Sequence, residues 1–184
     1  MKPWAIAISA FCVTVLAGCQ EEVQIAKPAA VDLTPEAAGH YCQMTVLEHT
    51  GPKAQIHLTG NPNPFWFTQV RDAVAFTLSP EEPKNIAAIY VNDMGKAESW
   101  DQPGADNWID ADTAWFVTGS SMTGGMGAPE AIPFGNADAA TAFAADNGGS
   151  VVRFKEIPES YVFGSVEMSA MEPLPVSGQG EARQ

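Results

Sequence analysis

The first twenty residues constrain the fold most, because they decide how many cysteines it keeps. They read MKPWAIAISAFCVTVLAGCQ. Lys2 gives a short positive start, Trp4 to Ala17 form an apolar run too short for a comfortable membrane span, and Leu16-Ala17-Gly18-Cys19 ends it with small residues before a cysteine. This is the pattern of a bacterial lipoprotein signal, cut before Cys19, whose thiol and new amino terminus then carry lipid. Cys12 leaves with the signal and Cys19 becomes a thioether, so Cys42 is the free thiol that remains. No intramolecular disulfide can then form, and the fold has to rest on a hydrophobic core. An unpaired thiol in an oxidising compartment is a liability unless it is buried, metal-bound or chemically employed. Gln20 follows the cysteine instead of the aspartate that commonly signals inner-membrane retention, which points to the periplasmic side of the outer membrane.

Removing the signal, residues 1–18, from 184 leaves 166 residues, enough for one domain or two small related ones. At 46% hydrophobic the chain can build a real core. Without Lys2 it carries 8 basic residues against 22 acidic, a net of −14. Such a field disfavours nucleic acid and anionic lipid surfaces and favours cationic ligands or basic patches on partners, although acidity also serves plain solubility.

The expected fold class is α+β: two related ββαβ units after the signal and a tether. Residues 19–35, with Pro28 and Pro35, read as a lipidated flexible tether. The first unit, 36–95, takes strands at Tyr41 to Leu47 and Ala54 to Leu58, joined as a hairpin through His49-Thr50-Gly51-Pro52. Phe65-Trp66-Phe67 is an apolar knot. Thr68 reads as the cap of a helix over Gln69 to Leu78, with Val70, Val74 and Leu78 on one face, and Ile86 to Val91 as a buried strand. The second unit, 96–164, repeats the order with Thr113 to Val117, Glu130 to Phe134, a helix over Ala137 to Asp146 stopped by Asn147-Gly148-Gly149, and a strand at Val151 to Phe154. Asp93 to Asp112 joins the halves as a loop pinned by Trp100 and Trp108; its aspartates lack the spacing of a calcium loop. Residues 165–184, rich in Gly, Pro and Ser, read as a disordered tail.

HYCQMTVLEH, residues 40–49, concentrates two histidines, the free thiol and a methionine. On a strand, residues two apart share a face, which would aim His40, Cys42 and Met44 the same way. Thiolate and thioether together select a soft cation, and in an envelope compartment that is Cu(I). Hard ions refuse thioether, and zinc wants more thiolate or imidazole. A third sulfur is available at Met126 in Ser121-Met122-Thr123-Gly124-Gly125-Met126-Gly127, where glycines let the backbone bend a flexible thioether toward a shared site. His49, at a turn, could add a nitrogen, as could His40; His57, between Ile56 and Leu58, falls on the other face of its strand. The plain alternative is that Cys42 and Met44 are core residues.

These segments carry a resemblance. Cys42-Gln43-Met44-Thr45-Val46, Glu48 to Ile56, Asn107 to Ala111, Gly124 to Glu130 and Gly148-Gly149, in that order, resemble the NosL family of nitrous-oxide-reductase accessory lipoproteins, over about residues 40–164. The resemblance implies two related ββαβ units and a periplasmic Cu(I) chaperone, not an enzyme, for the copper centres of nitrous oxide reductase. It implies delivery to an assembly complex of a periplasmic β-helical protein and its membrane ABC transporter. Cys42 and Met44 fall on the family motif and Met126 on a methionine of its glycine-rich turn; the matching histidine is not fixed by the motif. Membrane attachment would run through lipid on Cys19, nucleic acid would play no part, and the chain would be a monomer or a metal-bridged dimer.

Two other classes compete. An enzyme with Cys42 as nucleophile and His40 or His49 as base leaves Met44 without a role. Organomercurial lyases share a related fold but use additional cysteines that this chain lacks. A structural or interaction lipoprotein would bury Cys42 as an inert thiol.

Overall fold

The computed structural model describes residues 26–164. The expected signal, Cys19 as the expected lipidation site, and the 165–184 tail lie outside the described residues.

Ile56 and its neighbours Ala54 and Leu58 make β1 (Ala54–Leu58) the centre of the first unit, and all five of its residues are buried. It pairs antiparallel with β2 (Phe65–Phe67), Ala54 opposite Phe67, and with β3 (Ile86–Asn92), Ile56 opposite Ile89. A short β4 (Trp108–Asp110) completes a sheet of order β2-β1-β3-β4. Helix α1 (Val70–Leu78) turns Val70, Ala73, Val74 and Phe76 inward. Of the expected stripe, Leu78 departs: it is exposed, and Phe76 fills that part of the core. In the second unit, β5 (Trp115–Thr118) lies between β6 (Ile132–Phe134) and β7 (Ser150–Arg153). Helix α2 (Ala137–Asn147) is capped by Asn136, whose side chain accepts from Ala139 N at 2.8 Å, and ends at Gly148, φ +77°. A last turn, α3 (Glu159–Phe163), packs on α1, where Arg71 donates to the Val162 carbonyl at 2.6 Å.

The α+β class and the repeated ββαβ order therefore hold. Each unit runs hairpin, helix, strand, with the first strand between the second and third. The hairpin of the first unit, however, is β1–β2. Tyr41 to Leu47 is not a strand, and the apolar knot at 65–67 is one. Its alternating aromatic side chains supply the cross-strand pairs that stabilise a pleated surface. One core cluster spans both units, running from Ile56, Phe67 and Phe76 to Phe116, Phe154 and Ile157.

The tether expectation needs a second correction. From Pro28 to Leu33 the chain is strapped across the far face of the first sheet. Val31 exchanges two 2.9 Å hydrogen bonds with the Gln55 side chain, Tyr90 donates to the Pro28 carbonyl at 2.7 Å, and Leu33 is buried. Gln55 and His57 alternate onto that face, so without the strap their polar groups would be stranded. His57 is satisfied there by Gln55 Oε1 at 2.8 Å, and burial lowers its pKa.

Candidate metal centre

Residues 39–49 form a closed turn followed by one turn of 3-10 helix, Val46–Glu48. Gln43 N donates to the Gly39 carbonyl at 2.8 Å, and Gly39 N to the Met44 carbonyl at 2.9 Å. Between them Gln43 takes φ +57°, and its side-chain amide donates back to the carbonyls of Gly39 and His40. The strand reading of Cys42 and Met44 is thus overturned. The two sulfur residues flank a left-handed residue at a turn, where period-two alternation does not apply.

The histidines separate. His40 stacks on Phe65 with ring centroids 4.7 Å apart, lies against Phe67 and Phe76, and has Nε2 3.7 Å from Glu82 Oε1. It belongs to an aromatic nest, not to a face shared with Cys42. His49 contacts the glycine-rich loop: Nδ1 is 3.3 Å from the Gly125 carbonyl oxygen, and Nε2 is buried with no hydrogen-bond partner among the described residues. Native proteins rarely leave such an atom unpaired without a use for it.

The N-terminus of α1 ties the sequence-distant pieces together. Cys42 Sγ lies 3.9 Å from the Thr68 hydroxyl, and the next residue, Gln69, accepts a hydrogen bond from Met126 N at 3.4 Å. The loop carrying Met126 joins β5 to β6 in the other unit. It is a β-turn, Gly127 N donating to Gly124 O at 2.8 Å. Its glycines are required by contact: a Cβ on Gly125 would meet His49 Cβ at 2.7 Å, and one on Gly124 would meet Glu130 Oε2 at 2.5 Å. Met44 is 40% exposed and Met126 44%, large fractions for thioethers and consistent with a site open to a partner. Among the described residues no three His, Cys, Asp or Glu side chains cluster in a way that could hold a metal ion.

Two buried ionisable side chains brace this junction. Glu130 accepts from Arg71 N (2.8 Å), Val70 N (3.2 Å) and Ala131 N (2.8 Å), capping α1 from the opposite unit. Thr68, the expected cap, lies one residue before the N-cap position, which Gln69 occupies without a side-chain capping bond. Burial pushes Glu130 up to about 8, the three N–H groups working the other way. Lys53, 1% exposed, donates to the carbonyls of Thr50 and Gly51 at 2.8 and 2.7 Å and so fixes the chain after His49. Its pKa is lowered to about 8 by burial, opposed by the charge of Glu130. Neither residue, nor Gly39 or Gln69, stands out in the sequence. The signal that could have found Glu130 is an acid placed between a glycine loop and an apolar strand.

Residues 30–162 match the family model described as NosL. The chain belongs to the NosL family. It is 52% identical over 160 residues to a copper-binding lipoprotein NosL of Achromobacter cycloclastes, covering 86% of this chain and 82% of that one. It is 36% identical over 149 residues to a copper-binding lipoprotein NosL of Stutzerimonas stutzeri, covering 79% and 75%. The fold is similar to the crystal structure of the copper chaperone NosL from Shewanella denitrificans, with a TM-score of 0.67, 34% identity, and coverage of 73% of this chain and 98% of that one. Two NosL relatives are thus named for copper binding and one for chaperone activity, in agreement with a non-enzymatic role. The hydrogen-bond contact of Cys42 is the Thr68 hydroxyl.

Proposed function

We propose that this protein is a lipid-anchored copper chaperone of the bacterial envelope. It carries Cu(I) as cargo on Cys42, Met44 and Met126, with His49 as a nitrogen donor. The observation that supports the reading is that two sequence-distant segments meet at the start of α1: Cys42 Sγ lies against the Thr68 hydroxyl, and the loop that carries Met126, contacted by His49, is hydrogen-bonded to Gln69. Sulfur from thiolate and thioether selects the soft monovalent ion over zinc or calcium. Two or three ligands leave Cu(I) coordinatively open, so a partner's ligand can attack, share the ion and take it by exchange. No proton or electron transfer is needed.

Family membership supports nitrous oxide reductase as the destination, reached through the periplasmic β-helical protein and its ABC transporter. Lipid on Cys19 would hold the chain on the periplasmic side of the outer membrane. The acidic surface suits a partner with basic patches. The test is an anaerobic competition titration against a chromophoric Cu(I) chelator. One Cu(I) bound tightly by the full chain in detergent, with loss in Cys42→Ser and weakening in Met44→Leu, is expected. Wild-type affinity in Met44→Leu together with lost function in Cys42→Ser would return the nucleophile reading.

A further inference from the structure

Met126 needs an external anchor. Its turn is closed on itself by Gly127 N to Gly124 O and by Gly124 N to Ala128 O, both 2.8 Å, but three of its four residues are glycine. Such a turn has wide conformational freedom and will not hold a long, flexible side chain in one place. The hydrogen bonds that fix it from outside are His49 Nδ1 at the Gly125 carbonyl and Gln69 Oε1 at Met126 N.

We propose that Gln69 is a positioning residue for the copper site: it holds the Gly124–Gly127 turn on the N-terminus of α1, so that Met126 reaches the ion held by Cys42. This rests on the reading of the site given above. Gln69 stands at the N-cap position of α1 yet makes no capping bond. Glu130 reaches across from the second unit to accept from Val70 N and Arg71 N, which releases the Gln69 side chain for the loop. The two units thus exchange anchors at one point. The orientation of the Gln69 amide is fixed as well, because Nε2 donates to Asp72 Oδ1 at 3.0 Å and leaves Oε1 for Met126 N. At 5% exposure Gln69 is not readily replaced by solvent. The preceding residue, Thr68, contacts Cys42 Sγ, so one rigid helix start sets the spacing of thiol and thioether.

The test is copper K-edge X-ray absorption on the full chain in detergent, loaded with one equivalent of Cu(I) under anaerobic conditions. Three sulfur scatterers are expected in wild type and two in Met126→Leu and in Gln69→Ala, with affinity in the latter about tenfold weaker. Because Gln69 acts only through Met126, the double variant Gln69→Ala/Met126→Leu binds no more weakly than Met126→Leu alone. Three sulfurs retained in Gln69→Ala, or losses that add in the double variant, would overturn the proposal while leaving the site intact. A sulfur count unchanged by Met126→Leu would instead overturn the site reading itself. If Gln69→Ala does not fold, Gly124→Ala applies the same test. Its Cβ would meet Gln69 Oε1 at 2.6 Å, as well as Glu130 Oε2 at 2.5 Å, and loss of one sulfur is expected; retention of all three counts against the proposal.

Discussion

Gly39→Ala is the sharpest single perturbation of the thiol. A Cβ at Gly39 would stand 2.5 Å from Cys42 Sγ and 3.2 Å from the Thr68 methyl. Ordinary non-bonded contact begins near ~3.5 Å, so something retreats by about 1 Å. Thr68 is 1% exposed and held between β2 and α1, while Cys42 is only partly buried, so the thiol is the group that moves. Gly39 is not among the positive-φ glycines, and alanine there carries no backbone strain. Swinging Cys42 outward costs on the order of 1 kcal/mol, within the range of an off-rotamer side chain. The more restricted unfolded chain returns about 0.4–1 kcal/mol, so the fold survives. Copper binding should not. With its thiolate displaced, the site is expected to lose affinity by about 10–100-fold, or about 1.4–2.8 kcal/mol. Two assays report the change: the anaerobic Cu(I) competition titration, and the rate at which Cys42 reacts with a chromogenic disulfide, which should rise in the variant. Wild-type affinity together with wild-type thiol reactivity would refute the reasoning.

Three further outcomes follow from the same geometry. Glu130 is held protonated by burial up to about 8, above its ordinary 4.5. Its contribution to stability is full below the unfolded value and is lost as pH rises through about 8. The urea midpoint should therefore fall between pH 5 and pH 8, and Glu130→Gln should flatten that slope. The exposed thioethers Met44 and Met126 should be oxidised by hydrogen peroxide before Met94 and Met122, which pack against the second core cluster, and Cu(I) should protect the first pair; peptide mass mapping reads the order. His49→Ala should weaken Cu(I) binding whereas His40→Phe should leave it unchanged, since the His40 ring is already stacked on Phe65; the same titration separates them.

The architecture was legible where hydrophobic periodicity and turn chemistry agreed. β1 falls on its expected bounds, and α2 begins at Ala137 and stops at glycine as its sequence indicates. The 40–49 stretch misled because its β-branched and apolar residues fit a strand, while the deciding event, a left-handed Gln43, has no sequence signal of its own. Glutamine is not a residue that announces positive φ. The three-residue β2 was hidden for the opposite reason: an aromatic triplet after two prolines looks like a knot until β1 supplies its partner. Pro28 to Leu33 read as loose tether because proline and small residues describe chain stiffness, not whether a sheet face needs covering.

The candidate donor types are legible in the sequence, and the contacts that bring their segments together are not. Cys42 and Met126 became candidates from the affinity of sulfur for a soft ion, which needs no structure. What joins them is a tertiary exchange: Glu130 caps a helix that local chemistry assigned to Thr68, and Gln69, relieved of capping, takes the loop. A cap supplied from another unit is invisible to any local rule, since the rule looks for an acceptor within a residue or two of the helix start. The consequence is functional. A site whose thiol sits with one unit and whose distal thioether sits with the other can be tightened or loosened by a small shift at the α1 start. A carrier that has to hold an ion and then surrender it needs that adjustable spacing more than it needs one more ligand.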